Sequence, residues 1–306
     1  MGEAHKNPAP QAGSFPEIPG YRIEAVIGRG SAGTVYRALQ LAVERKVALK
    51  VLHPELATRG RSVRRLQREA RTTARLSHPG IVSAIDMGTS GGVWWYAMEL
   101  VEGPSLAEKL RKEGRLAERD ILRIFIPLCE ALEHAFDQGV VHRDIKPGNI
   151  LIEASGRARL VDLGLAFAED DPALTAQGGT LGTPHYMSPE QARDPSAADV
   201  RSDIWSLGAT LYHCACGRPP FAGESVAEIL SGVLYQPVPD PTEFEPELSK
   251  GLCLVLRKCL TRTAERRYQH PKDLREDLER IRERRAVSVR ERSLDPLAGE
   301  RERRAR

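Results

Sequence analysis

The sequence predicts an α+β fold with two lobes, a small β-rich N-lobe with one helix and a larger, mainly helical C-lobe. Two observations support this prediction: strand-like runs gather in the first third of the chain, and helical periodicity dominates from about Glu102 onward. A length of 306 residues is enough for two lobes with cores of their own. We expect a lead-in over 1–16, a two-lobed domain over 17–283 (N-lobe 17–101, C-lobe 102–283) and a charged tail over 284–306.

The N-lobe strands are predicted from short runs rich in β-branched and aromatic residues. Residues 1–16 precede them and are rich in Pro, Ala and Gly, which favours disorder. Between the strands, Leu66, Thr73 and Leu76 recur on one face of a predicted helix over 61–76. The predicted strands cover 21–27, 34–39, 46–52, 81–87 and 93–100.

The C-lobe helices are predicted from apolar residues at helical spacing. The first, over 120–136, contains Pro127, which should kink the helix or shift its start. Further helices are expected over 199–216, 225–235, 248–260 and 273–284. The tail from about Glu283 is mostly Arg, Glu and small residues, so we expect a solvated helix extension or disorder.

Composition limits the class of protein. The net charge of +3 is too small to indicate a nucleic-acid or membrane partner, and no apolar run approaches the roughly 18 residues that span a bilayer. None of the five cysteines forms a Cys-x-x-Cys motif, so buried thiols in a reducing compartment are favoured over a zinc site. We expect a soluble, cytoplasmic protein. The cysteines are Cys129, Cys214, Cys216, Cys253 and Cys259.

A G-x-G-x-x-G motif is formed by Gly28, Gly30 and Gly33. A β-rich run follows it rather than a helix, so the motif is predicted to be a hairpin turn whose backbone N–H groups can approach phosphate oxygens. A plain Gly-rich hairpin is the alternative. Lys50 ends an apolar strand and is expensive to bury unless an anion meets it, whereas at a sheet edge it would extend into solvent. Glu69 on the following helix is a candidate partner, or a solvated carboxylate.

Residues 140–152 hold a polar cluster between apolar runs and carry the strongest signal for chemistry. Asp144 can accept a hydroxyl proton, Lys146 can neutralise charge on a moving phosphoryl group, and Asn149 can ligate a hard cation. Asp162 follows a short strand and precedes Gly164. It is a candidate Mg²⁺ ligand, with an ordinary turn as the alternative.

These motifs, in this order, resemble the signature set of protein kinases, and the chain looks similar to the bacterial group of eukaryotic-like Ser/Thr kinases. The resemblance covers about residues 21–282. It implies a bilobal kinase that binds ATP and Mg²⁺ in the cleft between its lobes, with Asn149 and Asp162 as the metal ligands. The residues it assigns to ATP are Ile27, Gly28, Gly30, Gly33, Val35, Ala48, Lys50, Met98, Glu99, Val101, Leu151 and Asp162.

The resemblance also assigns the catalytic roles. Asp144 would orient and deprotonate the acceptor hydroxyl beside Lys146, and Lys50 would bind phosphates while paired with Glu69. Lys146 indicates Ser/Thr specificity, as does the segment that ends in Thr183, which would bond to Asp144. Asn149 is the last of the residues to which the resemblance assigns a catalytic role.

The same resemblance assigns structural roles to further residues, and two positions of this chain differ from the family's usual motifs. Glu190 would form a buried ion pair with Arg267, and Asp203 would hold the backbone of the His-Arg-Asp motif. Leu163 replaces the usual Phe of the Asp-Phe-Gly motif, and Ser188 replaces the usual Ala before Pro-Glu. Neither departure removes a catalytic oxygen.

We therefore predict phosphorylation of protein substrates on Ser or Thr in signal transduction, including autophosphorylation through self-association. Regulation would come from a phosphate on Thr175 or Thr180 that binds Arg143. Two alternatives are a catalytically silent pseudokinase scaffold and a small-molecule phosphotransferase. The first would lack one of the four polar groups Lys50, Asp144, Asn149 and Asp162, all of which are present.

Overall fold

Strands make up most of the first structural unit and helices most of the second, which confirms the predicted α+β class. The computed structural model describes residues 15–30, 32–58, 60–163 and 184–290. The chain divides into one unit from the ranges 1–64 and 85–100 and another from 65–84 and 101–306. The helix predicted over 61–76 therefore belongs mainly to the second unit.

The first unit is built on one mixed-length sheet whose strands are β1 (Tyr21–Arg29), β2 (Gly33–Gln40), β3 (Arg45–Leu52), β4 (Ala84–Ser90) and β5 (Val93–Glu99). Their order in the sheet is β1-β2-β3-β5-β4. β2 pairs antiparallel with β1 and β3, and β3 pairs antiparallel with β5. Because side chains alternate along a strand, the apolar core lies on one face of the sheet and the remaining side chains lie on the opposite face. The buried core residues of this unit are Ile18, Tyr21, Ala38, Val47, Leu49, Val51, Trp95 and Ala97.

The prediction for the fourth strand was wrong at its start. The strand begins at Ala84, whereas the sequence predicted residue 81. Ile81 instead forms an isolated parallel bridge with Leu160, and the Val82 N–H donates to the Leu160 carbonyl at 2.9 Å. Ile81 and Val82 therefore pair with Leu160, which lies far along the chain. No local sequence pattern indicates this pairing.

The second unit is mainly helical, with a small two-stranded sheet of β6 (Ile150–Ile152) and β7 (Ala158–Leu160). Its large apolar core includes side chains with no exposed surface on several helices, among them Phe125, Trp205 and Leu252. The described helices of the whole chain are α1 (Pro54–Ala57), α2 (Gly60–Ala74), α3 (Leu106–Glu113), α4 (Glu118–Asp137), α5 (Pro189–Arg193), α6 (Val200–Cys216), α7 (Val226–Tyr235), α8 (Lys250–Cys259) and α9 (Pro271–Arg282).

The helix predicted over 120–136 is confirmed as α4, and one further helix was not predicted. α4 begins well before Pro127 and continues past it, so this proline does not shift the start of the helix. Burial of Phe125 and Leu128 on either side stabilises the helix more than one missing hydrogen bond costs. α3 was not predicted, although Ser105 and Glu108 form a capping box at its start.

All five cysteines are buried free thiols, as predicted. Among the described residues no group of His, Cys, Asp and Glu is arranged to hold a metal ion. Within the same residues, no helix combines the length and apolar character needed to cross a bilayer.

The first part of the tail differs from the expected solvated or disordered segment. α9 ends at Arg282 rather than extending, yet the chain after it folds back onto the second unit. Val289 is buried in the core of that unit, and Ser288 hydrogen-bonds to Asp277 of α9. The lead-in over 1–14 and the tail over 291–306 lie outside the described residues.

Candidate active site

The Gly-rich loop joins β1 and β2 as the predicted hairpin. It is closed by a hydrogen bond from the Gly30 N–H to the Gly33 carbonyl at 2.9 Å. The His53 N–H donates to the Ala32 carbonyl at 3.1 Å, and the His53 Nε2 lies 3.0 Å from the Gly30 carbonyl. Residues at the end of β3 therefore support the loop from its own unit.

Two glycines of this loop face different constraints. A Cβ added to Gly33 would lie 2.1 Å from the Val51 carbonyl oxygen, far inside any normal contact, because β3 runs directly against it. A Cβ on Gly28 would meet Val35 at an ordinary 3.7 Å. The missing side chain at Gly33 is thus required by strand packing, whatever the loop binds.

We predict that Gly33→Ala destabilises the first unit by about 1–3 kcal/mol, because either β2 or β3 must shift to avoid the clash. Gly28→Ala is the matched control and should cost less than about 1 kcal/mol. Urea unfolding of both variants measures the difference in the free energy of unfolding. Equal stabilities would show that the sheet relaxes without cost.

The register of the sheet places several predicted nucleotide-binding residues on one face. Val35 lies opposite Lys50, and Ala48 lies opposite Met98. Since residues two apart share a face, all four lie on the face opposite the apolar core. Lys50 is only 7% exposed there. Ile27 is 47% exposed on β1.

Further residues that the resemblance assigned to ATP are Glu99, Val101 and Leu151. Glu99 is the last residue of β5, opposite Val47, and Val101 lies two positions after it, partly buried. Leu151 is partly buried in β6. The nucleotide contacts of these residues stay a prediction.

Glu69 lies on α2 and is 1% exposed, which excludes the solvated-carboxylate alternative. Lys50 is likewise buried, so the alternative of a lysine that reaches solvent at a sheet edge is also excluded. A buried charge of either sign requires an opposite charge or several hydrogen bonds. Their mutual pairing stays a prediction.

The polar cluster of residues 140–152 is assembled around the carboxylate of Asp144. The Lys146 Nζ donates to both of its oxygens, at 3.0 Å and 2.7 Å. The amide Nδ2 of Asn149 donates to the same carboxylate at 2.9 Å and to the Asp144 carbonyl at 2.8 Å. Three predicted catalytic residues are therefore brought together.

His142, for which the sequence suggested no role, links this cluster to the predicted metal-binding segment. The Asp144 N–H donates to its Nδ1 at 3.3 Å, so the ring hydrogen lies on Nε2, which is 3.1 Å from the Val161 carbonyl. The Val161 N–H in turn donates to the Asn149 carbonyl at 3.0 Å. Asp162, next along the chain, is thus held in a fixed place relative to Asn149.

Asp203 of α6 holds the backbone of this loop, as the sequence predicted. Its carboxylate accepts the N–H groups of His142 and Arg143, both at 2.7 Å. Burial raises the pKa of Asp203, and the nearby His142 and the two N–H donors offset part of that rise. Arg143 adopts a left-handed φ of 66° and Asp162 one of 61°. Both residues therefore hold a strained backbone conformation, as is common at functional sites.

The predicted buried ion pair between Glu190 and Arg267 is also confirmed. The guanidinium donates to both carboxylate oxygens, at 2.6 Å and 2.8 Å, and also to the carbonyls of Thr261, Arg201 and Arg262. Burial alone would raise the pKa of Glu190, but the hydrogen bonds and charge of Arg267 lower it to about 2. This pair fixes the start of α5 against the unit.

Sequence reasoning missed Gln191. Its Nε2 donates to the Arg143 carbonyl at 3.0 Å, so α5 supports the same loop that Asp203 holds. Ser188 and Gln191 form a capping box at the start of α5, which explains the departure from the usual Ala. The pattern Ser-x-x-Gln could have indicated this. Leu163 is fully buried.

Several predicted residues lie outside the described residues. Gly164, Thr175, Thr180 and Thr183 are among them, with the rest of 164–183. The phosphorylation that would engage Arg143 and the bond from Thr183 to Asp144 therefore stay predictions.

The donor atoms fit a divalent cation. Because both amide hydrogens of Asn149 are directed to Asp144, its Oδ1 is the atom that a cation can use. Asp162 supplies a carboxylate next to the residue that is hydrogen-bonded to Asn149. An amide oxygen and a carboxylate are hard ligands of the kind that such cations prefer.

The protein kinase domain model matches residues 21–277, so the chain belongs to the protein kinase family. The DNA damage-responsive serine/threonine-protein kinase RqkA of Deinococcus radiodurans is 42% identical over 81% of this chain and 37% of its own length. The serine/threonine-protein kinase PrkC of Bacillus subtilis is 36% identical over 84% of this chain and 40% of its own length. This chain spans about two fifths of these relatives.

A crystal structure of the PknI kinase domain of Mycobacterium tuberculosis has the same fold. The TM-score is 0.68 at 27% sequence identity, and the match covers 89% of this chain and 98% of that one. The bilobal kinase fold predicted from the sequence is confirmed.

Proposed function

We propose that the chain transfers the γ-phosphoryl group of ATP to Ser or Thr hydroxyls of proteins in a Mg²⁺-dependent reaction. The observation that carries this proposal is the Asp144 carboxylate, held by both Lys146 and Asn149. A carboxylate and an ammonium in contact provide a proton acceptor and a positive charge at one point. Transfer to a hydroxyl needs both.

The residues divide the reaction between them. The acceptor hydroxyl donates its proton to Asp144 while its oxygen forms the new bond to phosphorus. Lys146, already on the Asp144 oxygens, neutralises charge on the transferred group, and Lys50 holds the phosphates that leave as ADP. Asn149 and Asp162 would hold Mg²⁺, which would supply positive charge to the phosphate oxygens.

The structure favours catalysis over a silent scaffold. Asp144 and Asn149 are in contact, and Asp203 and Gln191 hold the loop backbone that carries Asp144. Lys146 and the Ser/Thr kinase names of the relatives support Ser or Thr as the acceptor. The relatives' names equally support a protein rather than a small molecule as the substrate.

We predict that incubation with MgATP and an acceptor protein incorporates phosphate on Ser and Thr, and that EDTA stops the reaction. Lys50→Met should lower the rate by about 10²-fold or more, since a buried charge that meets phosphate is lost. Lys46→Met, an exposed position on the same strand, is the control and should keep the wild-type rate. Phosphoamino-acid analysis measures the acceptor. Equal rates for both variants, or phosphotyrosine as the main product, would contradict the proposal.

A further inference from the structure

We propose that Ser288 is an autophosphorylation site and that its phosphate releases the segment after the last helix from the second unit. This segment, residues 285–290, is called the C-terminal strap below. The inference rests on the proposed function, because the phosphoryl donor is ATP bound to a second copy of this chain.

The strap is held by one buried carboxylate. Asp277 of α9 has no exposed surface, and its Oδ1 accepts the Ser288 N–H at 2.6 Å. The Ser288 Oγ donates to Oδ2 of the same carboxylate at 2.7 Å. Val289 follows, 5% exposed, and the Arg285 N–H donates to the Arg280 carbonyl at 2.7 Å. The strap is therefore docked at its start, middle and end.

Asp277 cannot follow the strap away from the unit. The Tyr268 hydroxyl donates to Oδ2 at 2.8 Å, and the Arg280 guanidinium donates to Oδ1 at 3.0 Å. Burial raises the pKa of Tyr268, so its hydroxyl stays protonated and remains a donor. The carboxylate thus stays in place whether or not Ser288 is docked on it.

Ser288 itself is accessible. The residue is exposed, although the carboxylate beneath it is buried, and the exposed Arg284 and Arg285 precede it. Because the strap follows the last helix and most of its residues are exposed, local opening can present the hydroxyl to a second copy of the chain. The hydroxyl is then in a surface segment that follows two exposed arginines.

Phosphorylation would oppose docking for two reasons. In the transfer, the Ser288 Oγ bonds to the γ-phosphorus, the bond from that phosphorus to the β-phosphate oxygen breaks, ADP leaves, and the proton goes to Asp144 of the second copy. The product has no Oγ–H to donate and carries about −1.5 to −2 charges. Placed against the buried carboxylate of Asp277, this charge is repelled with little screening by water.

The chain offers a matched control at Ser196. Its N–H and Oγ both donate to Asp194, at 2.9 Å and 2.7 Å, which repeats the contacts of Ser288. Asp194 is exposed, however, so water screens any added charge. The same modification should therefore release the strap but leave the segment around Ser196 unchanged.

Two measurements on the full chain test the inference. The first is phosphosite mapping by mass spectrometry after incubation with MgATP and an acceptor protein, which should find phosphate on Ser288. The second is hydrogen exchange of strap peptides in Ser288→Glu, Ser288→Ala and Ser196→Glu. Ser288→Glu should speed exchange of the strap by about tenfold or more, because bonds to a buried carboxylate are lost and a charge is added.

The three variants separate the effect of the lost hydrogen bond from the effect of the added charge. Ser288→Ala should accelerate exchange less than Ser288→Glu, because it removes one donor without adding charge, and Ser196→Glu should match wild type in both segments. Far-UV circular dichroism confirms that each variant is folded. Exchange in Ser288→Glu equal to that in Ser196→Glu would overturn the inference. An unmodified Ser288 beside phosphate on the acceptor protein would overturn it while the proposed function stands. No phosphate on any protein would overturn both.

Discussion

Asp144→Asn is expected to lower the rate constant for phosphoryl transfer about a thousandfold, within the range for loss of a general base. An amide of the same shape cannot accept the hydroxyl proton. Its NH₂ group would also face the Lys146 ammonium or the Asn149 amide, both of which now donate to the carboxylate. The measurement is the single-turnover rate with saturating MgATP and acceptor protein.

Asp137→Asn makes the same chemical change at an exposed position at the end of α4 and should keep the wild-type rate. The melting temperatures of both variants should stay within a few degrees of wild type, since the Asp144 side chain is partly exposed. A wild-type rate for Asp144→Asn would rule out Asp144 as the proton acceptor. A large loss of stability would instead assign it a structural role.

Arg267→Ala is expected to destabilise the chain by about 3–5 kcal/mol, the usual cost of breaking a buried ion pair from one side. The Arg267 side chain has no exposed surface, and its removal leaves the Glu190 carboxylate with Ser202 as its remaining side-chain donor and takes one donor from each of three carbonyls. Urea unfolding measures the change in the free energy of unfolding. Lys109→Ala, which breaks a more exposed pair on α3, should cost less than about 0.5 kcal/mol.

The double variant Glu190→Gln with Arg267→Met tests the cause. Removing both charges from a buried pair is often nearly neutral, so the double variant should be more stable than Arg267→Ala alone. If it is equally unstable, packing against Trp205, whose ring lies 5.0 Å from the guanidinium carbon, is the larger contribution.

The stabilisation from the Glu190–Arg267 ion pair should depend on pH. The pKa of Glu190 is about 2 in the folded protein, below its ordinary 4.5, so ionised Glu190 stabilises the fold. This contribution is complete above about pH 4.5 and is lost as the pH falls toward 2. The free energy of unfolding of wild type should therefore decline more steeply over this window than that of the double variant. Parallel declines would contradict the assignment.

The parts of the site that the sequence predicted are those with a local signal. Lys50 and the cluster around Asp144 are polar groups within apolar runs, and such groups are costly without a partner or a ligand. The contacts from Asp203 and Arg267 were predicted only through the resemblance, since nothing near them in the chain indicates their partners.

The features that were missed depend on contacts between distant parts of the chain. Gln191 reaches the Arg143 carbonyl 48 positions away, and Ile81 pairs with a strand of the other small sheet. Ser288 lies in a segment whose composition indicates solvation, yet a single buried carboxylate holds it in place. Gly33 was assigned to phosphate binding, whereas the approach of β3 also requires it. Helix and strand propensity and hydrophobic periodicity describe neither contacts between distant residues nor the close approach of one strand to another.

The left-handed backbone of Arg143 and Asp162 has a consequence for protein engineering. Arg143 and Asp162 hold a backbone conformation that glycine adopts at no cost. Replacing either by glycine would relieve the strain in the backbone, which counts in favour of such variants in a library selected for heat resistance alone. The side chains that the proposed chemistry and its regulation require therefore lie at positions where the backbone is strained. Selection for stability must be combined with selection for turnover.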